Sequence, residues 1–194
     1  CIPSKMLIYP ADVVALIQEA ENINVNAAVN SVDFEKIMER MHNIVTGDSQ
    51  REAEAVEATP NLTWFKDVGE FISDYTMKVG SHLIKADKIF IVSGARPDIP
   101  SIRGIDGVNY LTSDTVLELK KQPKSMVIIG GGYIAAEYGH FFSSIGTKVT
   151  VVQRNPRLLP EEEPEISDLL KEEMGKRMKI FTNYEVVEVK ENNG

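Results

Sequence analysis

A run of three glycines, Gly130 to Gly132, is the part of the sequence whose residue types and spacing most clearly suggest chemistry. It follows a short β-branched run at residues 127–129 and precedes a segment with helical spacing at residues 133–144. A second apolar run at residues 149–152 completes a strand, turn, helix, strand pattern, the first half of a dinucleotide-binding βαβ unit. In such a unit Gly130 permits a tight turn, and Gly132 lets the backbone approach a pyrophosphate at the helix N-terminus. An ordinary strand-to-helix turn is the alternative.

The end of the second strand indicates which nicotinamide dinucleotide would bind. An NAD site places an acidic residue there to accept a hydrogen bond from the ribose 2′-hydroxyl. This chain has Gln153, so no carboxylate would repel a 2′-phosphate, and Arg154 and Arg157 follow as phosphate partners. The pattern favours NADP, with NAD left open. The alternative explanation of the two arginines is a solvated loop.

Other reactive residues are few. Cys1 is the sole cysteine, which excludes an intramolecular disulfide framework. The histidines, His42, His82 and His140, have no metal-ligand spacing, and no zinc site is expected.

The bulk composition restricts the class of protein. The 194 residues suffice for one large or two small domains, and 43% hydrophobic with 26% charged residues is ordinary for a globular protein. The net charge of −8 argues against a nucleic-acid partner. No apolar run approaches the ~20 residues of a membrane span, and no signal-peptide pattern is present. We therefore expect a cytoplasmic protein without a membrane partner.

The elements expected around the glycine turn follow from periodicity and turn residues. Helical spacing at residues 6–17 continues to residue 20, with Pro10 expected to kink or restart the helix. A loop is expected at residues 22–30. Asp33 is the expected N-cap of a long helix to about residue 57, with an interruption at residues 46–48 left open.

Short strands dominate the expected pattern from residue 60 onward. An antiparallel meander is expected at residues 62–65, 71–72, 75–79 and 81–84, followed by an apolar strand at 89–92 and a loop at 97–110. A helix at 115–121, capped from residues 112–114, precedes the βαβ stretch. Beyond it we expect a helix at 166–178 and strands at 179–181 and 185–189.

Three separate pieces of the sequence resemble one family. The opening C-I-P-S-K, residues 1–5, resembles the end of the redox-active motif of the flavin-dependent pyridine nucleotide–disulfide oxidoreductases, which include dihydrolipoamide dehydrogenase, glutathione reductase and mercuric reductase. The segment I-V-S-G-A-R-P at residues 91–97 is similar to the place where that family's chain passes close to its flavin. Thr112-Ser113-Asp114, followed by P-K-S-M-V-I-I-G-G-G-Y-I-A-A-E, is similar to its entry into the nicotinamide domain. The pieces stand in the family's order and spacing.

The resemblance implies a fold class and a domain division. It implies an α/β protein whose residues 1–111 are an incomplete FAD-binding portion, made of helices plus an antiparallel meander. Residues 112–194 would be a partial Rossmann-like NAD(P)-binding domain. It further implies a fragment whose partners are the missing N- and C-terminal parts of the same protein, with a homodimeric parent.

The resemblance also assigns roles to individual side chains. Cys1 matches the redox cysteine nearer the flavin, and its partner would lie five positions earlier. Lys5 and Glu137 match an ion pair beside the flavin ring, which would tune the electronics of the flavin. Tyr133 matches an aromatic that covers the flavin. The alternatives are a stray thiol for Cys1, a carboxylate at a helix N-terminus for Glu137 and simple surface packing for Tyr133.

Weaker matches complete the implied cofactor site. Three residues match backbone close to the FAD: Ser93, Gly94 and Ala95. Gly69 matches a position near the adenine by a looser correspondence. Ala135, at the third motif position, resembles the NADP branch, although Pro160 stands where that branch usually has a second arginine, so Arg157 would have to replace it.

The implied activity belongs to the parent protein. It would pass a hydride from NAD(P)H, with NADPH favoured, through FAD to a redox-active disulfide and a thiol or disulfide acceptor, most like dihydrolipoamide dehydrogenase. The alternative for the isolated chain, which we expect to be inactive, is a dinucleotide-binding module without catalysis. The sequence leaves the acceptor open.

Overall fold

The computed structural model describes residues 2–192, and Cys1 lies outside them. Contacts divide these residues into two compact units: those up to Val45 together with those from Pro97 onward, and Thr46–Arg96. These units are defined by contacts within this chain and do not test the domain division expected at residue 111, which stays a prediction. The described part contains no helix long and apolar enough to cross a membrane.

Four α-helices, six strands and three short 3₁₀ helices make up the regular structure of the described residues. The helices are α1 (Ile2–Glu19), α2 (Phe34–Ala58), α3 (Tyr133–Ser144) and α4 (Pro164–Gly175). The strands are β1 (Gly69–Ser73), β2 (Thr76–Val79), β3 (His82–Lys85), β4 (Ser125–Ile129), β5 (Lys148–Gln153) and β6 (Lys179–Thr182).

A parallel sheet with strand order β4-β5-β6 forms the framework of the first unit. Ile129 at the end of β4 pairs with Val152, and Gln153 at the end of β5 pairs with Thr182. Helices α3 and α4 are the crossovers that parallel strands require. The strand, turn, helix and strand predicted around the glycines are confirmed, with α3 at the predicted bounds.

The core of the first unit lies where α1 and α2 meet α3 and β5. Leu7 and Ala11 of α1 are fully buried, as are Phe141 and Phe142 of α3, whose rings meet edge to face with centroids 4.9 Å apart. Phe34, the first residue of α2, packs on both rings at 6.3 Å. This apolar contact fixes α1 against the helix that leaves the glycine turn.

The first two helices are more continuous than the sequence suggests. Helix α1 passes through Pro10 without restarting, because apolar residues on both sides of the proline, Leu7 and Ala11 among them, are buried. Helix α2 is uninterrupted at residues 46–48. The predicted N-cap is confirmed, since Asp33 Oδ1 accepts a hydrogen bond of 3.1 Å from the Lys36 backbone N–H.

The second unit contains the antiparallel meander β1-β2-β3, as predicted. Phe71 pairs with Met77, and Met77 pairs in turn with Ile84. Residues 62–65 and 89–92, predicted as strands, form no strand in the described structure. Residues 90–92 are largely exposed, and a strand forms only where a neighbouring backbone supplies its hydrogen bonds.

Three further predictions need correction in the first unit. The helix predicted at 115–121 is a short 3₁₀ turn, Thr115–Glu118, whose N-terminus is held by the Thr112 hydroxyl, which accepts from the Thr115 N–H at 3.2 Å. The predicted strand at 185–189 is a single bridge between Glu188 and Arg103, because only this short stretch has a backbone partner. Helix α4 begins and ends earlier than the predicted 166–178.

Candidate functional site

The glycine turn joins the end of β4 to the start of α3. Gly130 has a φ of +108°, a left-handed conformation that glycine adopts without strain, and its N–H donates to the Val152 carbonyl at 2.9 Å. A Cβ atom at Gly131 would meet Leu158 Cδ2 at 2.8 Å, whereas one at Gly132 would meet nothing within 4 Å. Gly131 is thus required by packing, and Gly132 borders open space.

The N-terminus of α3 is available to an anion. Gly132 is its N-cap and makes no side-chain cap, since it has no side chain. Its carbonyl accepts from the Ala136 N–H at 3.1 Å, so the helix hydrogen bonding begins there. The preceding N–H groups of the first turn point outward with the positive end of the helix dipole, which is how helices bind phosphate groups.

The residues expected to contact the ribose 2′ position lie at the last residue of β5 and in the loop after it. The Gln153 side chain is 6% exposed and packs against Gly131, so its position supports the turn. Arg154 is exposed and has no ion pair among the described residues. Arg157 donates from Nε to Asp168 Oδ1 of α4 at 3.0 Å. Asp168 was missed by the sequence reasoning, since only the fold brings α4 to this loop.

The Lys5 and Glu137 side chains form an ion pair, as the resemblance implied. Lys5 is on α1 and Glu137 is on the second turn of α3, so the packing of the two helices brings together residues far apart in sequence. The hydrogen bond from Lys5 holds the pKa of Glu137 below its ordinary value; partial burial opposes this, and the Ser4 side chain adds a further hydrogen bond.

Two tyrosines of α3 differ in environment. Tyr133 is 70% exposed beside the glycine turn, so its ring is free to cover a ligand. Tyr138 is half-buried, its hydroxyl donates to the Ser113 carbonyl at 3.0 Å, and burial raises its pKa. Ala135, also in α3, is buried, and a small residue fits the packing there.

The remaining predicted residues are separate from this cluster. Cys1 lies outside the described residues. Three residues lie exposed in the second unit with no regular structure: Ser93, Gly94 and Ala95. Gly69 is in β1, where a Cβ would meet Met77 Sδ at 2.6 Å, so a larger residue there would have to displace the Met77 side chain. No group of residues in the described range could hold a metal ion.

Comparison with known proteins identifies the family. The family model described as pyridine nucleotide-disulphide oxidoreductase matches residues 1–194. The chain belongs to this family. The fold class implied by the resemblance, a partial FAD-binding portion followed by a partial Rossmann-type domain, is confirmed. The ion pair and the glycine turn therefore both lie within the residues that match the family model.

Individual relatives of this chain within the family carry different names. It is 32% identical to a mercuric reductase of Bacillus cereus over 191 residues, which is 97% of this chain and 30% of that protein. It is 32% identical to a dihydrolipoyl dehydrogenase of Chlorobaculum tepidum over 179 residues, 88% of this chain and 37% of that protein. The chain thus spans about a third of the length of these relatives.

A solved structure agrees with the fold of this chain. The flavoprotein disulfide reductase RclA of Escherichia coli, in its Cu(II) complex, superposes with a TM-score of 0.82 at 27% identity. The match covers 100% of this chain and 41% of that one. The likeness extends to the whole chain and so includes both described units.

Proposed function

We propose that the chain binds a nicotinamide dinucleotide at the glycine turn, as part of a flavoprotein disulfide oxidoreductase. The observation that carries this proposal is the N-terminus of α3, which has no side-chain cap and stands behind Gly130 at the carboxyl edge of parallel β4 and β5. Ligands of open parallel sheets bind at this edge. The space beside Gly132 admits a pyrophosphate close to the backbone.

The Lys5–Glu137 pair is the second part of the proposal. FAD, when bound, supplies the chemistry that accepts a hydride from the nicotinamide and passes two electrons to a disulfide. Lys5 would hold a positive charge beside the flavin, and Glu137 would hold the Lys5 ammonium in place. Cys1 would supply one thiol of the disulfide, as its motif implies, and the exposed backbone at Ser93 to Ala95 would face the FAD.

We propose that NADPH is preferred over NADH. The Gln153 side chain is buried and uncharged, so no carboxylate stands at the end of β5 to bind a ribose 2′-hydroxyl. Arg154 is exposed next to it and is the proposed first partner of a 2′-phosphate. Asp168 accepts a hydrogen bond from Arg157 Nε, which orients the guanidinium group. The Nη atoms of Arg157 are the proposed donors to the phosphate.

Titration of the purified chain with NADPH and NADH, by calorimetry, tests the site and the preference together. NADPH should bind more tightly, and Arg154→Ala should weaken NADPH by about tenfold or more, the effect of losing one charge-assisted contact, while leaving NADH unchanged. Arg40→Ala, an exposed arginine of α2, is the matched control for the loss of charge. Equal or tighter binding of NADH would refute the preference, and no binding of either would refute the site.

The acceptor and setting of the longer protein complete the proposal. We propose a disulfide or dithiol acceptor of the dihydrolipoamide type, supported by the identity to a dihydrolipoyl dehydrogenase. The expected setting is a cytoplasmic homodimer, as the composition and the family resemblance imply. A dinucleotide-binding module without catalysis is the second candidate for the chain alone, because the chain spans about a third of its relatives. A yellow chain whose flavin spectrum is bleached by NADPH would exclude that second candidate.

A further inference from the structure

One face of α1 carries three charged side chains, each seven residues from the next, and each pairs with a residue outside the helix. The pairs are Lys5 with Glu137, Asp12 with His140, and Glu19 with Arg177. Seven residues are nearly two helical turns, so the three side chains lie along one line. Glu137 and His140 are three residues apart on α3, which places them on one face of that helix as well.

The second and third pairs are joined through one imidazole. His140 Nε2 lies 2.8 Å from Asp12 Oδ1, and His140 Nδ1 lies 3.4 Å from Arg177 Nη1. Arginine is a donor only, so Nδ1 must accept and the ring proton must be on Nε2, directed at Asp12. The Ser144 hydroxyl also lies 3.4 Å from Nδ1. His140 therefore links α1 to the segment that follows α4.

Two of the four side chains in this linkage are partly buried. The side chains of His140 and Arg177 are 25% and 28% exposed, whereas Asp12 and Glu19 are about 60% exposed. The two central groups are thus partly shielded from water, which reduces screening of their interactions. The more exposed carboxylates of Asp12 and Glu19, both on α1, contact these two groups.

We propose that Asp12, His140, Arg177 and Glu19 are positioning residues that fix α1 along α3, so that the Lys5 ammonium stays on Glu137. Sliding α1 by one residue moves its side chains by about 1.5 Å along the axis and turns them by about 100°, which would break all three pairs at once. The register follows from the three ion pairs alone, whereas its importance for flavin chemistry rests on the proposed function.

Hydrogen exchange of the Lys5 ammonium with water, followed by ¹⁵N-edited NMR at mildly acidic pH and low temperature, where this exchange is slow enough to observe, reports whether that ammonium stays hydrogen-bonded. Asp12→Asn keeps an oxygen acceptor for His140 Nε2–H but removes the charge. Asp12→Ala removes both. Exchange at Lys5 should be at least about threefold faster in Asp12→Ala than in Asp12→Asn, because a weakly held exposed pair opens readily. Glu137→Gln gives the reference for a lost ion pair.

The Lys36 ammonium, paired with Asp33, is the internal control, and its exchange should be the same in every variant. Equal exchange at Lys5 in Asp12→Ala and Asp12→Asn would overturn the proposal. Glu19→Ala compared with Glu19→Gln repeats the test at the far end of the line. Because no nucleotide is present, failure here is distinct from failure of the NADPH titration.

Discussion

Replacing Gly132 with aspartate should make α3 more stable and strongly weaken dinucleotide binding. Gly132 is the N-cap of α3 with φ −80° and ψ −176°, an extended conformation that aspartate adopts freely, and a Cβ there meets no atom within 4 Å. An aspartate N-cap is better than glycine by a few tenths of a kcal/mol, and its charge adds about 0.3–1 kcal/mol from the helix dipole. The melting temperature should therefore rise by about 1–4 °C.

The same carboxylate would occupy the place of the pyrophosphate. Two unit charges about 4 Å apart near a protein surface repel by roughly 4 kcal/mol at an effective dielectric constant of about 20. Even half of that value corresponds to about a thirtyfold loss of affinity, and the full value to nearly a thousandfold. The carboxylate also occupies the N–H groups that the phosphate would use. Stability and affinity should thus change in opposite directions.

Differential scanning calorimetry and calorimetric titration with NADPH measure the two effects on one preparation. Gly132→Ala adds only a methyl group to the same space. It should weaken NADPH binding through crowding alone, without the charge repulsion that aspartate adds. Gly175→Ala, at the end of α4, is its matched control, because a Cβ there also meets nothing within 4 Å. It should leave NADPH affinity unchanged.

A stabilised Gly132→Asp variant that binds NADPH like the wild type would refute the assignment of the pyrophosphate to this turn. A Gly132→Asp variant with a lower melting temperature would instead contradict the description of Gly132 as an open N-cap. The two results are separate because binding and unfolding are measured independently.

Three further changes test other parts of the structure. Lys5→Met should lower the free energy of unfolding by at most about 1 kcal/mol at neutral pH. Because folding lowers the pKa of Glu137, the ion pair stabilises the protein fully above the ordinary glutamate pKa. That stabilisation is lost as the pH falls through the lowered pKa of the folded state. Urea unfolding at several pH values checks it, and a pH-independent cost would contradict it. Gly131→Ala should destabilise by about 1–3 kcal/mol, since its Cβ would lie 2.8 Å from buried Leu158 Cδ2. Phe142→Ala should lower the free energy of unfolding by about 3–5 kcal/mol in the same urea assay. A decrease below about 1 kcal/mol would show that Phe142 is not part of the core.

The glycine stretch could be predicted from the sequence because its signals are local. Gly130 is needed where the chain turns with positive φ, and the apolar spacing of residues 133–144 is a property of the helix itself. The Lys5–Glu137 pair could be expected only from family resemblance, since no local rule connects residues so distant in sequence. Asp168 was not predicted at all, because its contact with Arg157 exists only after α4 has packed.

The wrong predictions share a physical cause. Residues 62–65, 89–92 and 185–189 have the apolar composition of strands, but a strand depends on a neighbour that composition does not reveal. Pro10 shows the converse, since burial on both sides of the proline kept α1 continuous where local propensity predicts a break. Local sequence thus determined the turn and its helix, whereas packing determined the rest.

The spacing of the charged line on α1 limits how one pair can influence the next. Seven residues of helix span about 10.5 Å, which is close to the Debye length of about 10 Å at 0.1 M salt. The direct field of Asp12 at the Lys5 ammonium is therefore partly screened in ordinary buffer, whereas Glu137 and His140, three residues apart on α3, lie closer to each other. An effect of Asp12 on Lys5 then has two routes, the backbone of α1 and the side chains of α3, and the part that charge carries should shrink when salt is raised.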